Sequence, residues 1–221
     1  MSIATKTTRP LGRESQQQMT GARARDWHWT VCGLAAAVIL GIAAFLPLWT
    51  MKLNAPQYPA GLQLTAYGMR MEGDLSEINE LNHYIGINAI EPDSVTELRL
   101  FPFVMSLLVV SVVAGAVLVR NWKPRTLLAI GIWSIPAGML VDMQWWLYNY
   151  GHDLSTDAPF RVAPFTPKVI GSTTVMNFDS DAMVASGFWL MVAAGLVLTV
   201  GPWLTRFLWE SWNNTEVETT K

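Results

Sequence analysis

Long apolar runs alternate with water-soluble stretches along this chain. Four runs, about Thr30–Leu48, Phe101–Val119, Thr126–Tyr148 and Met183–Leu204, approach the roughly 20 apolar residues that span a hydrocarbon core about 30 Å thick. The pattern predicts an all-α integral membrane protein, an antiparallel four-transmembrane-helix bundle. Residues 1–29 form a basic tail before the first span, 30–205 the membrane domain, and 206–221 a short solvated tail. The polar stretches 50–100 and 149–182 then become two loops on one side of the membrane, building a small cap.

Inside the first loop the periodicity changes. Trp49, Met51 and Leu53 alternate with polar residues, as do Leu62, Leu64 and Ala66. "APQYPAG" between them turns the chain, so a short β-hairpin is expected. Asp74 with Glu77 reads as a capping box. It opens a short amphipathic helix through Leu75, Ile78, Leu81 and Ile85 that ends at Gly86, with His83 off its apolar stripe. Ser94 with Glu97 reads as a second capping box, at the start of the second span. The loop after the third span, rich in Pro, Ser, Thr and Asp, argues against helix and predicts an irregular segment packed on something. Asp181 or Ser180 is expected to cap the fourth span.

Charge orients this arrangement. Lys6, Arg9, Arg13, Arg23 and Arg25 precede the first span, and Arg120, Lys123 and Arg125 fill the link between the second and third. Lys52, Arg70 and Arg99 in the first loop are outnumbered by Glu72, Asp74, Glu77, Glu80, Glu91, Asp93 and Glu97. The positive-inside rule places both termini in the cytoplasm and both long loops outside. Only 14% of the residues are charged and 11 are Trp, in keeping with an aromatic belt at the bilayer surface. His28, between Trp27 and Trp29, reads as an interfacial anchor. The single cysteine, Cys32, excludes an internal disulfide and with it dithiol redox chemistry.

Candidate chemistry is sparse. The outward face carries His83 and His152 with Met51, Met69, Met71 and Met176, soft ligands of the kind Cu(I) prefers. Met69-x-Met71 would put two sulfurs on one side of a strand. His83, His152, Met69, Met71 and Met176 are thus the candidate copper ligands; the alternative reading makes the methionines filler and the histidines turn architecture. Asp142 lies about five residues past the middle of the third run, roughly 7–8 Å toward the outer face. An acid there should face other helices or water, in a proton or quinol role or simply hydrogen-bonded to Trp or a freed carbonyl. Pro136 in the same run predicts a kink. No axial histidine for haem lies within a span, no phosphate-binding glycine loop occurs, and no catalytic constellation is visible, so neither an enzyme nor a nucleic-acid partner is expected.

At "APQYPAGL", "LNHYIGI", "YGHDLSTDAP" and "PKVIGSTTVMNF" the chain resembles a family of small membrane proteins found in the gene clusters of clade II nitrous oxide reductase. The resemblance covers Trp49 to about Phe178. It implies a non-enzymatic accessory protein at the outer face of the membrane, serving assembly of, or electron supply to, a copper enzyme. Its partners would be that periplasmic enzyme, maturation factors or other membrane subunits, besides the lipid bilayer. The matching positions are Asn82, His83, Tyr84, Tyr150, Gly151, His152 and Asp153, which implies a partner surface or copper contact there. One position departs: the family's "NHYIG" is commonly followed by Met, where this chain has Ile87. Two other readings stay open, a docking subunit of a larger membrane complex without metal and a quinol- or proton-handling subunit using Asp142.

Overall fold

The computed structural model describes residues 13–219, with side chains placed for 27–212. The basic residues Lys6 and Arg9 lie outside the described residues, as do the side chains of Arg13, Arg23 and Arg25. Helix α1 (Arg13–Ala43) includes much of the expected tail, so residues 13–26 are helical, and it ends earlier than the predicted first span. Two strands follow, β1 (Trp49–Ala55) and β2 (Tyr58–Ala66), then a short β3 (Met71–Gly73) and helix α2 (Leu75–Ile85). Helices α3 (Thr96–Leu118) and α4 (Trp122–His152) come next, then β4 (Gly171–Val175), β5 (Phe178–Val184), α5 (Ser186–Thr199) and α6 (Gly201–Thr219).

The chain is therefore not all-α. Its two long loops join in one five-stranded antiparallel sheet of order β3-β2-β1-β5-β4. The expected hairpin is present, with Trp49 opposite Ala66, Met51 opposite Leu64 and Leu53 opposite Leu62. Its turn is only Pro56–Gln57; Pro59 falls in β2, beyond the stretch that pairs with β3, where its missing N–H costs no ladder bond. The second loop supplies the rest. β5 pairs with the other edge of β1, Met51 opposite Ala182 and Leu53 opposite Ser180, so β1 is the central strand. The "irregular" expectation for residues 149–182 thus holds only between the end of α4 at His152 and Ile170, and Met183 belongs to a strand rather than to the last span.

Below the sheet, α1, α3, α4 and α5 form a four-helix bundle. α1 packs on α3 and α5, and α4 completes the ring against α3 and α5. Small residues set the close approaches: a Cβ on Gly33 would lie 2.5 Å from that of Ala116, and Ala36, Leu40, Met191 and Ala194 are fully buried between α1 and α5. At the end remote from the sheet, Trp29 Nε1 and Thr30 Oγ1 donate to Gly115 O and Ala116 O, at 3.2 and 2.9 Å. Both carbonyls lie in the last turn of α3, and Gly115 O also accepts from Val119 N at 3.1 Å, so Trp29 adds a second donor there. Arg125 donates to Val119 O at 3.1 Å and lies over the Trp29 ring. Trp29 is therefore a buried helix–helix tie rather than an interfacial anchor, while Trp27 is exposed.

α3 and α4 are each long and apolar enough to cross a membrane. α5 with α6, bent by 53° at the break between them, would make a third crossing, and the apolar part of α1, Trp27–Ala43, is shorter. Pro202, without an N–H for the preceding turn, accounts for the bend. α6 continues through most of the stretch expected to be a solvated tail. α4 runs as one helix through Pro136.

Neither capping box forms. Asp74 occupies the N-cap of α2, but its Oδ2 accepts from Gln63 N at 2.8 Å and so ties the helix to β2. Ser94 Oγ donates back to Glu91 O, and α3 starts after Val95 with no side-chain cap. Ala185, not Asp181 or Ser180, precedes α5. There the backbone does the work, with Ala185 N donating to Leu48 O and Gly187 N to Pro47 O, welding the start of α5 to the strand entering the sheet.

Candidate functional site

The underside of the sheet meets the bundle imperfectly, and a cavity of about 520 Å³ remains between them. Its roof is the inner face of the strands, including Met51, Leu64 and Phe178; its walls are α2 and the sheet-proximal parts of α3 and α4. α4 contributes Ile135, Met139, Asp142, Trp146 and Tyr150, spaced three or four residues apart and so on one helical face. Met139 packs against the bundle core and against the core beneath the sheet, which puts the cavity at their junction.

The lining is apolar apart from a few groups. Asp142 and Glu97 bring carboxylates, Asn82 an amide, Tyr67 and Tyr150 phenols and Ser134, Thr173 and Ser180 hydroxyls, while no Lys, Arg or His is among the lining residues. Trp146 presents its ring to Tyr150, with centroids 5.9 Å apart. Its indole Nε1–H is buried and has no hydrogen-bond partner among the described residues. A buried donor left unmade is costly, of order 1–3 kcal/mol, so such a group is either strained or awaiting a ligand. α4 is 31 residues long, about 46 Å, and exceeds a 30 Å hydrocarbon core by several turns. Asp142, 20 residues after the first of this helix, sits beneath the sheet at the edge of the bundle rather than near its middle.

The two strings "LNHYIGI" and "YGHDLSTDAP" meet through their backbones. Ser155 N donates to Gly86 O at 2.8 Å and Phe160 N, just past the second string, to Tyr84 O at 3.0 Å, while within the second loop Phe165 N donates to Gly151 O at 3.0 Å and folds the segment back onto the end of α4. Asn88 Nδ2 donates to Asp153 Oδ2 at 3.0 Å. The glycines make this joint feasible. Gly86 ends α2 with φ +81°, and a Cβ there would lie 2.9 Å from Ser155 O; one on Gly151 would lie 1.9 Å from Phe165 O.

The residues expected at a partner surface divide in two around this joint. His83, Tyr84, His152 and Asp153 are exposed, whereas Asn82 and Tyr150 turn inward and line the cavity. His152 is held in place: its ring stacks on Tyr148, centroids 3.9 Å apart, and Nδ1 lies 2.9 Å from Tyr148 O. A carbonyl only accepts, so this contact assigns a proton to Nδ1.

The candidate copper ligands are spread apart. Met69 is not in a strand but in the turn before β3, which Tyr67 N closes onto Arg70 O at 2.8 Å; the Arg70 guanidinium beside Glu72 holds that carboxyl below the usual carboxylate range. Met71 lines the cavity on the edge strand β3. Met176 is exposed in the β4–β5 turn, at the opposite edge. β3 and β4 are four interstrand spacings apart, about 19 Å, so one ion cannot take both sulfurs. The histidines belong to yet another surface, and among the described residues no three His, Cys, Asp or Glu side chains are grouped as a metal site.

The cavity itself was not foreseen in the sequence, although the Ile135, Met139, Asp142, Trp146, Tyr150 spacing carried the signal. No protein-family model matches the chain, and no curated protein matches it either.

Proposed function

We propose that the chain is a four-span accessory protein of a bacterial inner membrane. Its termini and the α3–α4 turn face the cytoplasm, its sheet cap faces outward, and it supports assembly of or electron supply to a nitrous oxide reductase-like copper enzyme. The observation that supports this reading is where the resembling strings lie. "APQYPAGL" makes the turn of the first hairpin and the start of β2, "PKVIGSTTVMNF" makes β4 and the turn of the second, and the two strings between them form the interlocked joint, so all four fall in one cap. Arg120, Lys123 and Arg125 at the opposite end agree with the proposed orientation. The working surface is the exposed side of the joint, with Tyr84 and His152 as its contacts, the latter held against Tyr148. Docking through these groups accords with their geometry better than chelation by the dispersed histidines and methionines.

Two measurements test it. A membrane-impermeant maleimide applied to intact spheroplasts should label Tyr84→Cys and leave Asn121→Cys unlabelled; Cys32 is buried and gives little background. In cells making a Tyr84→Ala/His152→Ala variant at normal level, copper loading of the enzyme should fall several-fold. Full loading in cells without the chain would overturn the reading. Near-stoichiometric Cu(I) on the purified protein, lost in a His83→Ala/His152→Ala variant, would replace docking by copper delivery.

A further inference from the structure

We infer that the cavity beneath the sheet binds an uncharged amphiphile of the quinol class, taken laterally from the bilayer. Its volume, about 520 Å³, lies within the roughly 300–1,000 Å³ of ordinary small-molecule sites. It follows α4 from Ser134 to Tyr150, 16 residues or about 24 Å, a length suited to a ring with an extended apolar tail.

The chamber has a way in from the side. A second, almost wholly apolar groove runs between α3 and α4 toward their connecting turn, and it shares Val104, Ser134 and Ile135 with the cavity. The two spaces adjoin at those residues, where Val104, Ser134 and Gly138 are exposed. An apolar tail can therefore lie in the groove while the head sits further along α4.

The polar groups select the head. Asp142 and Glu97 would repel a phosphate or a fatty carboxylate, and no cation lines the chamber to compensate. A ring hydroxyl suits this lining: its O–H donates to the Asp142 carboxylate, and a small turn of the Trp146 indole, whose buried Nε1–H has no partner among the described residues, lets its oxygen accept there. Tyr150 and Trp146 add aromatic faces for a planar ring. The lateral route rests on the membrane-spanning reading proposed above, whereas the chamber and its polar groups do not.

The test uses the full chain in detergent and a decyl-tailed benzoquinol kept reduced under anaerobic conditions, with binding followed by equilibrium dialysis. Saturable binding near one per chain is expected. Gly138→Phe is the informative variant, because nothing lies within 4 Å of a Cβ built at Gly138 and the fold should accept the ring while the mouth is filled. It should weaken binding at least about tenfold with an unchanged melting temperature. Trp146→Phe, losing one hydrogen bond, should weaken it about threefold to tenfold. A long-chain phenol should compete; phosphatidylglycerol and palmitate should not. Absence of saturable binding, equal affinity in both variants, or displacement by the anionic lipids would each overturn the inference. Because this is measured in detergent, its failure is distinct from a reversed maleimide pattern, which would overturn the topology instead.

Discussion

Replacing Trp49 by alanine is expected to destabilise the protein by about 3–5 kcal/mol, in the range for emptying a buried aromatic site. Trp49 is 3% exposed at the start of the central strand, flanked by Ala66 on one side and Val184 on the other. Its indole Nε1 donates to Val169 O at 2.7 Å, so a single side chain holds the second loop beneath a strand made by the first. Trp49→Phe keeps most of the volume and isolates the hydrogen bond, and should cost about 1–3 kcal/mol because Val169 O is left buried without its donor. Unfolding by denaturing detergent, followed by circular dichroism, measures both. A change under 1 kcal/mol for Trp49→Ala would mean that the sheet is not held together from this position.

Gly151→Ala is expected to have the next largest effect, about 2–3 kcal/mol, the cost of a methyl group with no space. The group that it meets is Phe165 O, 1.9 Å from the new Cβ; this is backbone, and the same stretch donates Phe165 N to Gly151 O. A flexible side chain could swing aside, but a hydrogen-bonded main chain cannot without leaving its partner. The segment 153–170 should therefore lift from α4, and limited proteolysis should cut it well before the helices. Gly138→Ala on the same helix is the control, since its Cβ would project into open space. Equal protease resistance in the two variants would show that the joint is not where the second loop is fastened.

Both positions bear on how the cap could act. The joint that Gly151 permits leaves His83, Tyr84, His152 and Asp153 on one side and the cavity residues Asn82 and Tyr150 on the other. Loss of the joint should disturb a docking surface and a ligand chamber together, whereas Gly138→Phe should affect the chamber alone. A cell-based comparison of these two variants separates the contributions of surface and chamber to copper-enzyme loading.

The apolar runs of α3 and α4 were legible because a lipid-length helix needs only composition over about 20 residues. The first hairpin was legible too, since Trp49, Met51 and Leu53 face Ala66, Leu64 and Leu62 as a period-two pattern requires. The second hairpin escaped notice for a physical reason. Its inward positions include Ser180 and Ala182, small residues that show no hydrophobic alternation, and its two-residue turn takes Met176, at φ +53°, where Gly or Asn would have announced it. Met183 was read as part of the last span because an apolar residue on the outer face of a short strand looks, in one dimension, like the start of a helix.

Asp142 stood out in the sequence, but the cavity exists only because a sheet drawn from two distant loops roofs over α4. The histidines were legible as belonging to two similar strings. That the strings meet at Gly86 through main-chain hydrogen bonds, and that the methionines fall at opposite edges of one sheet, depended on strand order. Periodicity reports which face of an element is buried, while strand order is set by contacts between residues more than a hundred positions apart, such as Trp49 and Val169, which no local pattern encodes.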